Sequence, residues 1–290
     1  MVDSSFVDLE ELKLRVRKMA EDRDWVQFHT PHNLVHALSG ECGELNEAFQ
    51  YKKDISKFSF NDIVHVGEEL SDVLIYSTRL CDVCNFNFPK GVKFCLQHKE
   101  NSSKMAKFES RNFFLRSSSS TGSSVAEGSL LFTEMETILR TEVGKKSPRE
   151  LVMQINVQLG EVCRVLGERT EGERDSSQWS KNEIDTVVLA ISKICILLVL
   201  IARSCQLQLG RCAAEKMTKN EKKYPVHLSK GSAAKYTAYV DKIQKENFLS
   251  RSSTDSRGIW GSGLLFMVSV GSLLAIAAVV TRSRGNVYGY

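Results

Sequence analysis

The sequence is poor in the features that build sheets and mark the commonest catalytic folds. It has only four prolines in 290 residues and few runs alternating β-branched with polar residues, so helices are expected throughout. No GxGxxG turn, GxxxxGK[ST] loop or GxSxG elbow occurs, which excludes the usual dinucleotide, P-loop and serine-hydrolase sites. A basic-then-apolar leader is missing at the N-terminus. A reducing compartment is therefore expected, with Cys42, Cys81, Cys84, Cys95, Cys163, Cys195, Cys205 and Cys212 acting mostly as small buried hydrophobes. Cys81 and Cys84 form a CxxC with no second pair and no βαβ context, so neither a zinc ribbon nor a thioredoxin motif is expected. His32 and His36 lie one helical turn apart without an HExxH glutamate, and read as ordinary helix-surface residues. Charge of one sign is lacking too. The 39 Lys and Arg are interleaved with 35 Asp and Glu for a net +4, and no nucleic-acid partner is expected.

What is present divides by composition. Residues 1–108 carry a helical pattern, 109–129 are a Ser-rich linker, 130–246 are helical again, and 247–258 are a polar linker. Residues 259–280 then run for 22 positions without a charge. At roughly 1.5 Å per residue they reach about 33 Å, enough for a hydrocarbon core of about 30 Å. Trp260 at one end, and Arg282 and Arg284 in the short basic tail 281–290 at the other, have the character of interface anchors. The expectation is a single-pass, tail-anchored protein with its globular part in the cytosol, in the mitochondrial outer membrane or the endoplasmic reticulum.

The two helical regions resemble each other. Phe58-Ser59 before one apolar run matches Trp179-Ser180 before another, and counting on without gaps sets Leu80-Cys81 opposite Ile201-Ala202. Upstream, Gly40-Glu41-Cys42 matches Gly160-Glu161-Val162. Each region reads as the same short helical bundle, whose apolar faces want a partner.

Only the first region carries an acidic constellation. Glu41 and Glu44 are three apart and so share a helix face, and Glu69 and Asp72 repeat that spacing on a strongly apolar run. Four carboxylates brought together repel one another and are costly to desolvate unless a cation lies between them. Oxygen donors without His or Cys select Mg²⁺ or Mn²⁺ over zinc, and Mg²⁺ so held keeps positions open for phosphates. Glu44 and Glu47 are both candidate general bases.

On these residues the sequence resembles the MazG-like all-α nucleoside triphosphate pyrophosphohydrolases, in particular their dCTP pyrophosphatase branch. The similar stretches are Asp24-Trp25-Val26-Gln27-Phe28-His29-Thr30-Pro31, Gly40 to Leu45 with Phe49-Gln50, Glu68 to Tyr76, and Lys216-Met217 through Asn220 to Lys223-Tyr224-Pro225. The resemblance implies that Glu41, Glu44, Glu69 and Asp72 hold Mg²⁺. It also implies that Trp25, Val26, Gln27, Phe28, His29, Tyr51 and Tyr76 line a base and sugar pocket, and that Lys216, Asn220 and Lys223 meet a triphosphate. The implied reaction is dCTP and water to dCMP and diphosphate.

The departures are unevenly shared. The first region ends in Cys95-Leu-Gln-His-Lys99, without the basic motif; the second keeps that motif but has Arg164, Ala190 and Lys193 where carboxylates belong. The expected fold is therefore all-α: two tandem MazG-like bundles forming a covalent pseudo-dimer, plus one C-terminal transmembrane helix. In it the first repeat supplies metal and base pocket and the second the phosphate contacts, and such pseudo-dimers could pair again as a homodimer. The alternative is a catalytically inactive, tail-anchored scaffold derived from the same family.

Overall fold

Helix starts are written locally and clearly. In the computed structural model, which describes residues 8–52, 54–98, 114–115 and 130–232, Asp8 opens α1 (Leu9–Asp22) by accepting from the amides of Glu10 and Glu11. A 3₁₀ turn at Val26–Phe28 leads to α2 (Pro31–Phe49), capped by Thr30 with a proline in its first turn. The next helix, α3 (Phe60–Val83), starts from a reciprocal capping box between Ser59 and Asp62. After α4 (Phe88–Gln97) and α5 (Phe132–Ile138), the same device recurs: Ser147 with Glu150 opens α6 (Pro148–Gly167), and Ser180 with Glu183 opens α7 (Lys181–Ser204). Helices α8 (Leu209–Lys223) and α9 (Val226–Ser229) complete the order. Among the described residues no strand forms, only isolated bridges at Asp8–Leu131 and Phe86–Leu115. The all-helical expectation is met.

The two longest helices form the core. α3 packs on α1, α2 and α8, while α7 packs on α5, α6 and α4, and the two long helices also touch each other. Leu70, Val73, Leu74 and Leu80 of α3 are fully buried, as are Val187, Ile191, Ile194, Leu198 and Ile201 of α7. Each such side chain contributes roughly 1.5–3 kcal/mol relative to exposure. Both helices are 24 residues long, and both are followed by a left-handed residue, Asn85 (φ 57°) after α3 and Gln206 (φ 58°) after α7. The α3–α4 pair begins at residues 60 and 88, the α7–α8 pair at 181 and 209, the same spacing of 121 positions in each case.

The short helices pack away from the long helix that precedes each of them: α4 lies mainly on α7, and α8 mainly on α3. Small residues permit both crossings. A Cβ on Gly91 of α4 would lie 2.8 Å from Val188 Cγ1 of α7, and one on Gly67 of α3 would lie 3.2 Å from Cys212 Sγ of α8. Midway, α2 meets α6 through a reciprocal amide pair, Asn46 Nδ2 to Asn156 Oδ1 (3.0 Å) and Asn156 Nδ2 to Asn46 Oδ1 (2.8 Å). His32 is no simple surface residue, because its Nε2 lies 2.9 Å from the Leu166 carbonyl oxygen at the end of α6, which a ring N–H can satisfy.

Among the described residues one helix, α7, is long and apolar enough to cross a membrane; 78% of its most apolar stretch is buried inside the bundle, as in a core helix. The expected span 259–280 lies outside the described residues. The cysteines are all free, and six are buried. Burial pushes the Cys42, Cys195 and Cys205 thiols up to about 12, which makes them inert packing groups.

Candidate active site

The expected groups reach one cavity of about 590 Å³ from four segments. The C-terminal half of α2 brings Glu41 and Glu44. One stripe of α3 brings Asp72, Tyr76 and Arg79, spaced 3–4 residues apart. The turn between α1 and α2 brings Trp25, Phe28 and His29, and α8 brings Lys216, Asn220 and Lys223. The expected acidic, aromatic and basic groups thus share one space, although they come from segments nearly two hundred residues apart.

At the acidic end, carboxylate oxygens of Glu41, Glu69 and Asp72 lie within 4.8 Å of one another. Glu69 and Asp72 are buried, at 4% and 8% exposure. Glu69 Oε1 is 3.3 Å from His65 Nδ1, while its Oε2 is buried without a hydrogen-bond partner. A buried carboxylate oxygen left so costs free energy that a cation would recover. Burial, then the charges of Asp72, Glu44 and Glu69, pushes the Glu41 carboxyl up to about 7 against the opposing pull of Lys216. Burial also raises Glu69 and Asp72 above the usual carboxylate range. Lys216 Nζ is ion-paired with Asp72 and lies 3.9 Å from Glu68 Oε2. Although burial works against its charge, these carboxylates hold its ammonium above the ordinary lysine value. The donor set, all oxygen and partly unsatisfied, fits a hard divalent cation.

At the aromatic end Trp25 is fixed from the far half of the chain. Its indole Nε1 donates to the carbonyls of Ser229 (3.1 Å) and Ser232 (2.9 Å), and its ring meets Tyr224 edge-on at 5.3 Å. With its N–H spent on backbone, Trp25 borders the cavity as a fixed aromatic wall. Tyr76 is pushed above its ordinary value by burial and then by the Glu41 charge, and so stays a neutral phenol. Further out, Arg15 of α1 holds α8 through Glu221 (2.9 Å) and Thr218 (3.0 Å).

Three expected pocket residues stand outside the cavity lining. Val26 is half exposed, and Gln27 turns its amide back to the Asp24 carbonyl at 3.0 Å. The 3₁₀ turn points these two outward and delivers Phe28 and His29 inward. Tyr51 is 86% exposed: α2 ends at Phe49, whose buried ring packs on Phe58 at 5.6 Å, and the chain leaves before Tyr51 can turn in. Glu69 belongs to the carboxylate cluster without lining the cavity. Of the two candidate bases, Glu44 lines the cavity, whereas Glu47 faces a separate hollow beside Arg149 and Met153. Asn33, His36, Arg79 and Tyr224 also line the cavity. None of the four was expected in the site: His36 read as a helix-surface residue, which its place in the lining corrects, and Arg79 continues the stripe of Asp72 and Tyr76 at helical spacing. In the second half Arg164 Nη2 pairs with Glu161 at 3.2 Å. Among the described residues the carboxylate group of the first half is the one cluster able to hold a metal.

Fold and site together define a helical bundle with an acidic, cation-seeking cavity walled by aromatics and lysines. The curated proteins it matches are named dCTP pyrophosphatase 1. The cattle protein is 42% identical over 93 residues, 31% of this chain and 55% of that protein. The rat protein is 42% identical over 88 residues, 29% and 52%, and the human protein 38% identical over 111 residues, 36% and 65%. Over that region the chain is similar to these dCTP pyrophosphatases. It spans about half to two thirds of the length of these relatives. No family model matches the chain, and no solved structure matches it.

Proposed function

We propose that this chain is a Mg²⁺-dependent nucleoside triphosphate pyrophosphohydrolase, cleaving dCTP and water to dCMP and diphosphate in one cavity built by two tandem MazG-like repeats. The observation that carries the reading is the convergence of Glu41, Glu44, Asp72, Tyr76, Trp25, Lys216, Asn220 and Lys223 on a single space. The repeat is supported by the matched spacing of α3–α4 and α7–α8, and by the packing of α4 mainly on α7 and α8 mainly on α3. That packing gives a physical reason for the uneven losses. α8 is the short helix that reaches the carboxylates, so the basic motif is needed there and not on α4.

Glu41, Glu44, Glu69 and Asp72 would hold Mg²⁺, which when bound neutralises phosphate charge and orients or activates water. The chain's own groups do the rest. A base stacks on the Trp25 face with Tyr76 beside it, an arrangement worth roughly 1–3 kcal/mol. Lys216, Asn220 and Lys223 offer donors at one-turn spacing to a phosphate chain. Glu44 is favoured over Glu47 as proton acceptor because it borders the same space. Phosphoryl chemistry asks for positioning and charge stabilisation more than a covalent nucleophile, so inert thiols are no objection.

The test is diphosphate release by the full chain from the four common deoxynucleoside triphosphates with Mg²⁺. Release is expected from dCTP, with Glu41→Gln slower by roughly a hundredfold or more. The second reading, an inactive scaffold, draws on the ion pair that Lys216 already makes with Asp72. No release above the Glu41→Gln control would favour it.

A further inference from the structure

Arg79 is buried at 5% exposure yet lines the cavity. Its Nη1 donates to Asp82 Oδ2 at 2.6 Å, and Asp82 also accepts from Arg17 Nε at 3.0 Å, so the guanidinium is clamped from behind. Its Nε donates to His29 Nδ1 at 2.9 Å. A guanidinium has only donors. The Nδ1 atom of His29 must therefore present its lone pair, and the ring proton of neutral His29 must reside on Nε2. Burial, then the Arg79 charge, lowers His29 to about 4, so the neutral ring is the form present near pH 7. Among the described residues the structure gives His29 Nε2 no partner, and His29 lines the same cavity as Trp25 and Tyr76.

We propose that Arg79 is a positioning residue that locks His29 as an Nε2–H donor, and that this donor selects a base with an unprotonated ring nitrogen over one carrying N–H at that edge. The proposal rests on the nucleotide reading above and deepens it. Cytosine offers an acceptor at its ring N3, whereas thymine and uracil carry a proton there. A fixed donor meets the first with a hydrogen bond and the second with an opposed N–H. A polar group set to bond one partner rejects its mismatch more strongly than an apolar wall can. A freely exchanging tautomer would not discriminate, because it could turn either face to the base.

Two measurements on the full chain test this. Nitrogen-15 NMR of the histidine rings near pH 7 is expected to find His29 neutral and protonated at Nε2. A protonated ring, or the Nδ1–H tautomer, would overturn the proposal whatever the activity. Turnover of dCTP and dTTP with Mg²⁺ is then compared in wild type, Arg79→Met and Arg79→Lys. In Arg79→Met the preference for dCTP in kcat/KM is expected to fall by about tenfold or more, with Arg79→Lys, which keeps a donor, recovering part of it. A uniform loss on both nucleotides, or an unchanged preference, contradicts the role. Wild type that turns over neither nucleotide would overturn the underlying nucleotide reading instead.

Discussion

Single side chains carry charges that the fold alone does not neutralise. Glu41 has a folded value of about 7 against an ordinary 4.5, so the folded metal-free chain binds that proton more tightly than the unfolded chain. Its contribution to stability is complete below pH 4.5 and lost as pH rises to about 7. His29 runs the other way, from 6.5 down to about 4, so its contribution is present above pH 6.5 and lost as pH falls toward 4. Metal-free Glu41→Gln is therefore expected to melt above wild type at pH 7.5. The gap should be about 4 °C, from roughly 1–2 kcal/mol once solvent screening of a partly exposed carboxyl is discounted, and it should close by pH 4.5. Equal melting temperatures at pH 7.5 would contradict the strain assigned to the carboxylate cluster. Lys216 bears on the same cluster. It already supplies a positive charge to Asp72, so Lys216→Met is expected to bind Mg²⁺ severalfold more tightly by calorimetry while lowering turnover. Weaker Mg²⁺ binding in that variant would count against competition between ammonium and ion.

Among the helices, much was legible and some features were not. The serine caps at Ser59 and Ser180 and the ungapped register of α3 with α7 could be read directly, because capping and periodicity are local. The i,i+3 carboxylate pairs were readable for the same reason. Tyr51 was not, since its direction depends on where α2 stops, and Arg79 was missed because the stripe on α3 was followed only as far as Tyr76. The crossing of α4 onto α7 and α8 onto α3 is long-range packing with no local signature, except at the glycines that permit close approach. Gly91 makes that packing testable. Alanine there would gain up to about 1 kcal/mol of helix propensity but would set its Cβ 2.8 Å from Val188 Cγ1, and overpacking costs about 1–3 kcal/mol. Gly91→Leu should lower the melting temperature by several degrees and Gly91→Ala by less, as followed by circular dichroism. Unchanged melting in Gly91→Leu would mean that α4 does not lie as close to α7 as the structure has it.

In the whole molecule the two halves share one cavity: the carboxylates lie on α2 and α3, Lys216, Asn220 and Lys223 on α8, and the indole of Trp25 is tied to Ser229 and Ser232. Sequence resemblance could supply the parts list and the complementary losses. It could not show that residues so far apart border one cavity, which follows from packing. Asn220 tests this most directly, because it lines the cavity from the half without a metal cluster and is not part of the ion-pair network around Lys216. The decisive measurement is kcat/KM for dCTP with Mg²⁺ in Asn220→Ala against wild type, with melting temperature as the check on folding. The account predicts a loss of about tenfold or more at an unchanged melting temperature. Wild-type turnover in Asn220→Ala would contradict a site completed by both halves.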